Sequence, residues 1–316
     1  MKKIIATSLI CALAISAAGC GDKKIETASL TEPIPEQSEA ESTSENAEPT
    51  QEETAEVTSD LYEAFKQGTA SVKYRGTGDR SGYIELSSIL EVDKAYTLDE
   101  IIEACKTIGV YNEDGNPNIT YRSIDCGQDG VPELLVNIEF GAATNLTMII
   151  KEINNELVMC FDQDGGERFY VEVSDNGVIE AGGASGANVH DMDYAFVDGN
   201  GDYIFYYGVT ETLAPYDDYY AYKNGEDYVT IPVEGLDADH IGIRDYYFEA
   251  DFTERNHMFN YYMIDDNYED ITTDADYDDS NLLKQRFNEA GINTYTKAEM
   301  DQMISDRATE IGYPEK

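Results

Sequence analysis

Two hydrophobic periods alternate along this chain, and the places where one gives way to the other mark out its elements. In TLDEIIEACKTIG, Ile101, Ile102, Cys105 and Ile108 recur at helical spacing, with Thr97 and Glu100 placed as a capping box and Gly109 as a stop. Strand-like runs follow: ITYRSID (Ile119 to Asp125), then ELLVNIEF (Glu133 to Phe140). Four further stretches each fold back on a turn pair: LTMIIKEINNELVMCF at Asn154-Asn155, RFYVEVSDNGVIEA at Asn176-Gly177, MDYAFVDGNGDYIFYYG at Asn200-Gly201, and YYAYKNGEDYVTIP at Asn224-Gly225. Asn-Gly supplies the positive φ angles of a tight hairpin turn. The three Asn-Gly pairs lie 24 residues apart with flanks that do not match, which reads as a regular up-and-down strand rhythm, not a repeat. Helical spacing returns in SNLLKQRFNEAG and in TKAEMDQMISDRATEIG, whose Thr296 and Glu299 form a second capping box. Strands bracketed by helices predict an α+β fold, mainly an antiparallel β-sheet meander with flanking helices.

The N-terminus follows a different pattern. Lys2 and Lys3 precede an apolar run of fifteen residues, Ile4 to Ala18, too short to span a bilayer comfortably and typical of a signal peptide core. Ala17, Ala18 and Gly19 lead into Cys20 and look like a bacterial lipobox, with Ala17 where most such sequences carry Leu. Residues 21–60 hold twelve acids, two lysines and no aromatic residue. Such a stretch buries too little apolar surface to offset its ordering entropy and is expected to act as a flexible tether of about 35 Å. The expected organisation is a lipoprotein signal peptide over 1–19, lipidated Cys20 and acidic tether over 20–60, and a folded extracellular domain over 61–316. The partner this implies first is the membrane itself, through the N-terminal lipid.

Composition narrows the role of that domain. Residues 61–316 carry 52 acids against 17 bases, a net −35, which disfavours nucleic acid and anionic headgroups as partners. All 24 tyrosines lie there, with no tryptophan in the chain, and Tyr206-Tyr207, Tyr219-Tyr220, Tyr246-Tyr247 and Tyr261-Tyr262 form doublets. On a strand each doublet points its two rings to opposite faces. Exposed tyrosine beside carboxylate suits sugar or peptide binding, and also suits an ordinary sheet surface. Cys105, Cys126 and Cys160 follow Cys20, an odd number that leaves at least one thiol free or paired between chains.

The sharpest chemical motif is SIDCGQDGVPELLV. Asp125, Asp129 and Glu133 are spaced as calcium ligands around Gly130, but Gly127 replaces the third-position acid and Val136 the terminal bidentate Glu, so an EF-hand is excluded. A plain turn between two strands is the other reading. The segment resembles a D-x-D-G-D-G-x-x-E-L loop of secreted bacterial domains. Through Tyr121, Ile124, Asp125, Gly127, Asp129, Gly130, Pro132, Glu133 and Leu134 it is similar to a YxxIDxGxDGxPEL element in surface lipoproteins of Gram-positive gut anaerobes. The resemblance runs more loosely from LYEAFKQG to AGINTYTKAEMDQMISDR. It implies an outward-facing, lipid-anchored location and brings no activity with it. VDGNGD and DADYDD are weaker acidic loops with turn or solvated-loop readings.

No H-E-x-x-H, G-x-S-x-G, S-x-x-K or P-loop spacing occurs. The nearest approach to catalytic chemistry is GGASGANVHDMD, in which Ser185 and His190 are candidate nucleophile and base. The expectation is therefore a non-catalytic binding domain for a polysaccharide, a cell-wall component or an envelope protein. A surface hydrolase and a solute-binding lipoprotein of a transporter remain open beside it. No cofactor is implied beyond calcium at Asp125, Asp129 and Glu133.

Overall fold

A computed structural model describes residues 59–76, 84–108, 116–141, 144–216, 218–224 and 227–314, all within one compact unit, Thr54–Lys316. The expected signal peptide, Cys20, nearly all of the expected tether, Gly109 and Gly225 lie outside the described residues.

The described chain is mainly β. In order it forms α1 (Asp60–Lys66), β1 (Val72–Tyr74), α2 (Leu86–Ile89), β2 (Ala95–Tyr96), α3 (Leu98–Thr107), β3 (Asn118–Ile124), β4 (Glu133–Glu139), β5 (Thr144–Ile153) and β6 (Glu156–Gly166). Then come β7 (Phe169–Val173), β8 (Val178–Ala184), β9 (Val189–Val197), β10 (Tyr203–Leu213), β11 (Tyr219–Asn224), β12 (Asp227–Ile231), β13 (Ile241–Tyr247), β14 (Met258–Met263), α4 (Leu282–Glu289) and α5 (Lys297–Ile311). Strands outweigh helices by more than the α+β expectation implies.

One regular meander is also not what forms. The strands divide into a first sheet ordered β2-β1-β6-β5-β4-β3, a second ordered β14-β13-β10-β9-β8-β7, and a separate β11–β12 hairpin. All named pairings are antiparallel except β1 with β6. The 24-residue rhythm of Asn-Gly turns therefore crosses from the second sheet into the hairpin, while β10 pairs past that hairpin to β13.

The first sheet is buried on both faces. Leu134, Val136, Ile138, Leu146, Met148 and Ile150 pack under α1 and α3 with Phe65 and Ile101. Leu135, Ile149, Val158 and Cys160 point the other way, into a layer shared with Val173, Ile179, Ala195 and Val197 of the second sheet. Burial on both faces explains why ELLV and LVMCF read as continuous apolar runs and not as alternation. The sequence-predicted capping boxes of α3 and α5 both form, and Gly312 ends α5 in the left-handed region at φ 66°.

Alternation gives the second sheet an inner and an outer face. On β9, Ala195 and Val197 face the first sheet, so Asp191 and Asp193 share that inner face; His190, Met192 and Tyr194 lie on the outer one. The helix α5 covers the outer face, where the Tyr206 hydroxyl donates to the Ile304 carbonyl at 2.9 Å and Tyr313 packs on Phe196. At the β13–β14 end the inner face is covered instead by the hairpin and α4, through Tyr219, Ala221, Ile243, Phe259, Tyr261 and Phe287. Only one doublet separates as the alternation predicts into a buried and an exposed ring: Tyr219 is 8% exposed and Tyr220 57%. Tyr261 and Tyr262 are both buried, because layers cover both faces there.

Candidate functional site

The acidic loop after β3 meets two turns of the second sheet. Asp125 N–H donates to the Asp175 carbonyl at 2.8 Å, and Gly127 comes so close to the Asp198–Gly199 turn that a Cβ on it would lie 2.4 Å from Gly199 N. The structure brings Asp129 and Glu133 to one cation, the ammonium of Lys151. Lys151 donates to Glu133 and lies 3.9 Å from Asp129, with side chains 8% exposed for Lys151 and 0% for Glu133. The second Glu133 oxygen accepts from Cys126 N–H at 2.6 Å. Burial pushes the Glu133 carboxyl above the usual carboxylate range, against the opposing pull of Lys151 and the Cys126 N–H. Asp125 is not part of this group and accepts from Gly130 N–H at 3.1 Å. Among the described residues no three His, Cys, Asp or Glu side chains are arranged to hold a metal ion. Asp198 likewise closes its own turn, accepting from the N–H groups of Asn200 and Asp202 at 2.9 Å each.

Ser185 and His190 are separated by the pleat. Ser185 lines a cavity on the inner face, whereas His190 lies on the outer face, paired with Ala184 on one side and Glu211 on the other. The glycines around Ser185 serve a close backbone approach: a Cβ on Gly183 would sit 1.8 Å from the Arg168 carbonyl oxygen.

That cavity, about 790 Å³, brings carboxylates, arginines and aromatic rings together on one face. It opens on the inner face between the ends of β5 and β6 in the first sheet, at Thr144 and Gln163 to Gly166, and the β9, β10 and β13 strands. Its floor carries Asp191 and Asp193, each already accepting from a hydroxyl: Thr210 Oγ1 at 2.7 Å and Tyr247 OH at 2.9 Å. The Phe205 and Tyr247 rings lie parallel, centroids 6.1 Å apart, and Tyr203 stacks on Phe161 at 5.8 Å. Gly208 makes this packing possible, since a Cβ there would lie 2.1 Å from the Tyr247 ring and 2.4 Å from Asp193 Oδ1. Burial pushes the Tyr247 phenol well above its ordinary range, so it is a hydrogen-bond donor at physiological pH.

Behind Tyr247 lies a buried Asp245–His257 pair. Asp245 accepts from His257 Nδ1 at 2.8 Å, inside rings of Tyr222, Tyr247, Phe252 and Phe259. Burial raises the Asp245 carboxyl, partly offset by His257. Sequence reasoning missed this pair and the cavity alike, because Asp191, Asp193, Phe205, Tyr247 and Arg255 converge only through strand register. The one available signal was the abundance of tyrosine beside acids. No protein-family model, curated protein or solved structure matches this chain.

Proposed function

We propose that this chain is a lipid-anchored, outward-facing α+β binding module that captures a saccharide, such as a polysaccharide or cell-wall fragment, without transforming it. The carrying observation is the cavity floor: the partly exposed rings of Phe205 and Tyr203 beside carboxylates that already accept hydroxyl hydrogen bonds. Apolar faces of a sugar ring pack on aromatic rings, and its hydroxyls donate to carboxylates in the same geometry as Thr210 and Tyr247 do here. The anchor rests on Lys2, Lys3, the Ile4 to Ala18 run and Cys20. The likeness to surface lipoproteins of Gram-positive gut anaerobes rests on the Tyr121 to Leu134 element. The separation of Ser185 from His190 supports binding over acyl-transfer chemistry. The test is a screen of glycans, wall fragments and envelope proteins against the wild-type chain and Phe205→Ala. Binding lost in the variant supports the reading, and an absence of glycan or wall binding removes it.

A second reading has one observation in its favour: Asp191 and Asp193 form a carboxylate pair on one face, as glycoside hydrolysis requires. New reducing ends released from a bound glycan, and abolished by Asp191→Asn, would establish it. For Asp125, Asp129 and Glu133, Lys151 already supplies a positive charge beside the last two. Calcium as a structural ion predicts a melting midpoint raised by the ion and lowered by chelator; unchanged midpoints leave Lys151 in that role.

A further inference from the structure

We infer that the ligand of this cavity is an acidic sugar, held through its carboxylate by Arg255 and Arg168; the inference rests on the saccharide reading above. The observation is a contrast among arginines. Arg75, Arg122, Arg244 and Arg307 each lie against a carboxylate. Arg286 donates to the carbonyls of Pro232 and Glu234. Arg168 and Arg255, the two that line the cavity, have no carboxylate within ion-pair distance among the described residues, and Asp245 and Asp251 act on Arg255 only from farther off. In a chain with 64 acids and 21 lysines and arginines, an unpaired guanidinium is the exception.

Arg255 is also held in place. Its guanidinium carbon lies 3.6 Å from the centre of the Tyr247 ring and 5.4 Å from that of Phe252. One Nη donates weakly to the Ala250 carbonyl at 3.4 Å, while Nε is buried with no acceptor. A buried donor left unmade is costly, and an anion seated against Arg255 removes that cost. A planar carboxylate matches the guanidinium fork in two parallel hydrogen bonds.

The other cavity groups favour a sugar as the carrier of that carboxylate. Asp191 and Asp193 line the floor between Arg168 beside β7 and Arg255 beyond β13, set to accept hydroxyls. The chain's net charge of −43 repels an anion at long range. Screening limits that repulsion to about 8 Å at physiological salt, and because the lining also carries Asp164 and Glu167, binding of the anion rests on direct contact with the two guanidinium groups.

The test is calorimetric titration of the full chain with a uronic-acid trisaccharide. The comparison ligands are the same trisaccharide with its carboxylates reduced to primary alcohols, and a tripeptide of equal negative charge. The acidic sugar is expected to bind about tenfold or more tighter than its reduced form, the difference shrinking as salt rises. Arg255→Gln should erase that preference, Arg168→Gln should diminish it, and Arg255→Lys should restore part of it. Because Arg168 is exposed, its variant reports on the preference even if Arg255→Gln fails to fold. Equal binding of both sugars overturns the acidic-sugar inference and leaves the saccharide reading standing. Binding of the peptide alone, or of no ligand, overturns both.

Discussion

Replacing Lys151 with Met removes the only cation beside Glu133 among the described residues while keeping most of the apolar stem of the side chain. Glu133 is then left fully buried, with one oxygen on Cys126 N–H at 2.6 Å and the other without a partner. Breaking one side of a buried pair costs roughly 3–5 kcal/mol, a large share of a total stability of about 5–15 kcal/mol. Urea denaturation followed by far-ultraviolet circular dichroism should show a midpoint lower by roughly 1–2 M. Lys151→Met combined with Glu133→Gln should recover most of the loss, since the amide oxygen still accepts from Cys126 and no charge remains buried. The pH dependence has a definite sign. A carboxyl raised by burial destabilises the folded state only where it is ionised, so the single variant's penalty should shrink as pH falls from 8 to 5. With Asp129 and Glu133 freed of Lys151, calcium should stabilise the single variant more than the wild type. A loss under about 1 kcal/mol, or a double variant no better than the single, would refute the claim that Lys151 is the counter-ion of this loop.

Other expectations follow from the same contacts. Gly208→Ala places a methyl group into the Tyr247 ring and should cost about 1–3 kcal/mol in urea denaturation while weakening glycan binding, by displacing Tyr247 from Asp193. Cys105, Cys126 and Cys160 are free and buried, and burial pushes the Cys105 thiol up to about 12 and that of Cys160 up to about 11. All three should resist Ellman's reagent at pH 8 in the folded protein and react on addition of denaturant. His240 bridges Asp237 at 3.0 Å and Asp266 at 3.1 Å, bonds that raise its imidazole above the ordinary value. Its clamp should hold below about pH 6.5 and release as pH rises through the raised value. An NMR titration giving an ordinary or lowered value would contradict this.

What could be read from the chain alone follows the range of the interactions involved. Thr97 with Glu100 and Thr296 with Glu299 are contacts three residues apart, so both capping boxes were visible in the sequence and both form. Asn154-Asn155, Asn176-Gly177 and Asn200-Gly201 likewise carry their turns locally and join β5–β6, β7–β8 and β9–β10. Division into two sheets was not visible, because pairing of β10 with β13 skips a hairpin that carries the same local signals as its neighbours. The parallel contact of β1 with β6, 85 residues apart at Tyr74 and Met159, left no trace in the pattern. The acidic loop was recognisable by its spacing, yet its cation is Lys151, on a strand the loop meets only through the fold. Ser185 and His190 were chosen for proximity in sequence, and the pleat puts them on different faces. Asp193 and Tyr247, 54 residues apart, do converge.

The central claim is that the inner-face cavity is where ligand binds, and hydrogen exchange read by mass spectrometry with and without acidic wall-glycan fragments tests it most directly. Protection confined to peptides spanning residues 163–169, 183–193, 203–210 and 247–255 is the predicted result. Unchanged exchange at saturating glycan, or protection elsewhere on the molecule, would contradict it.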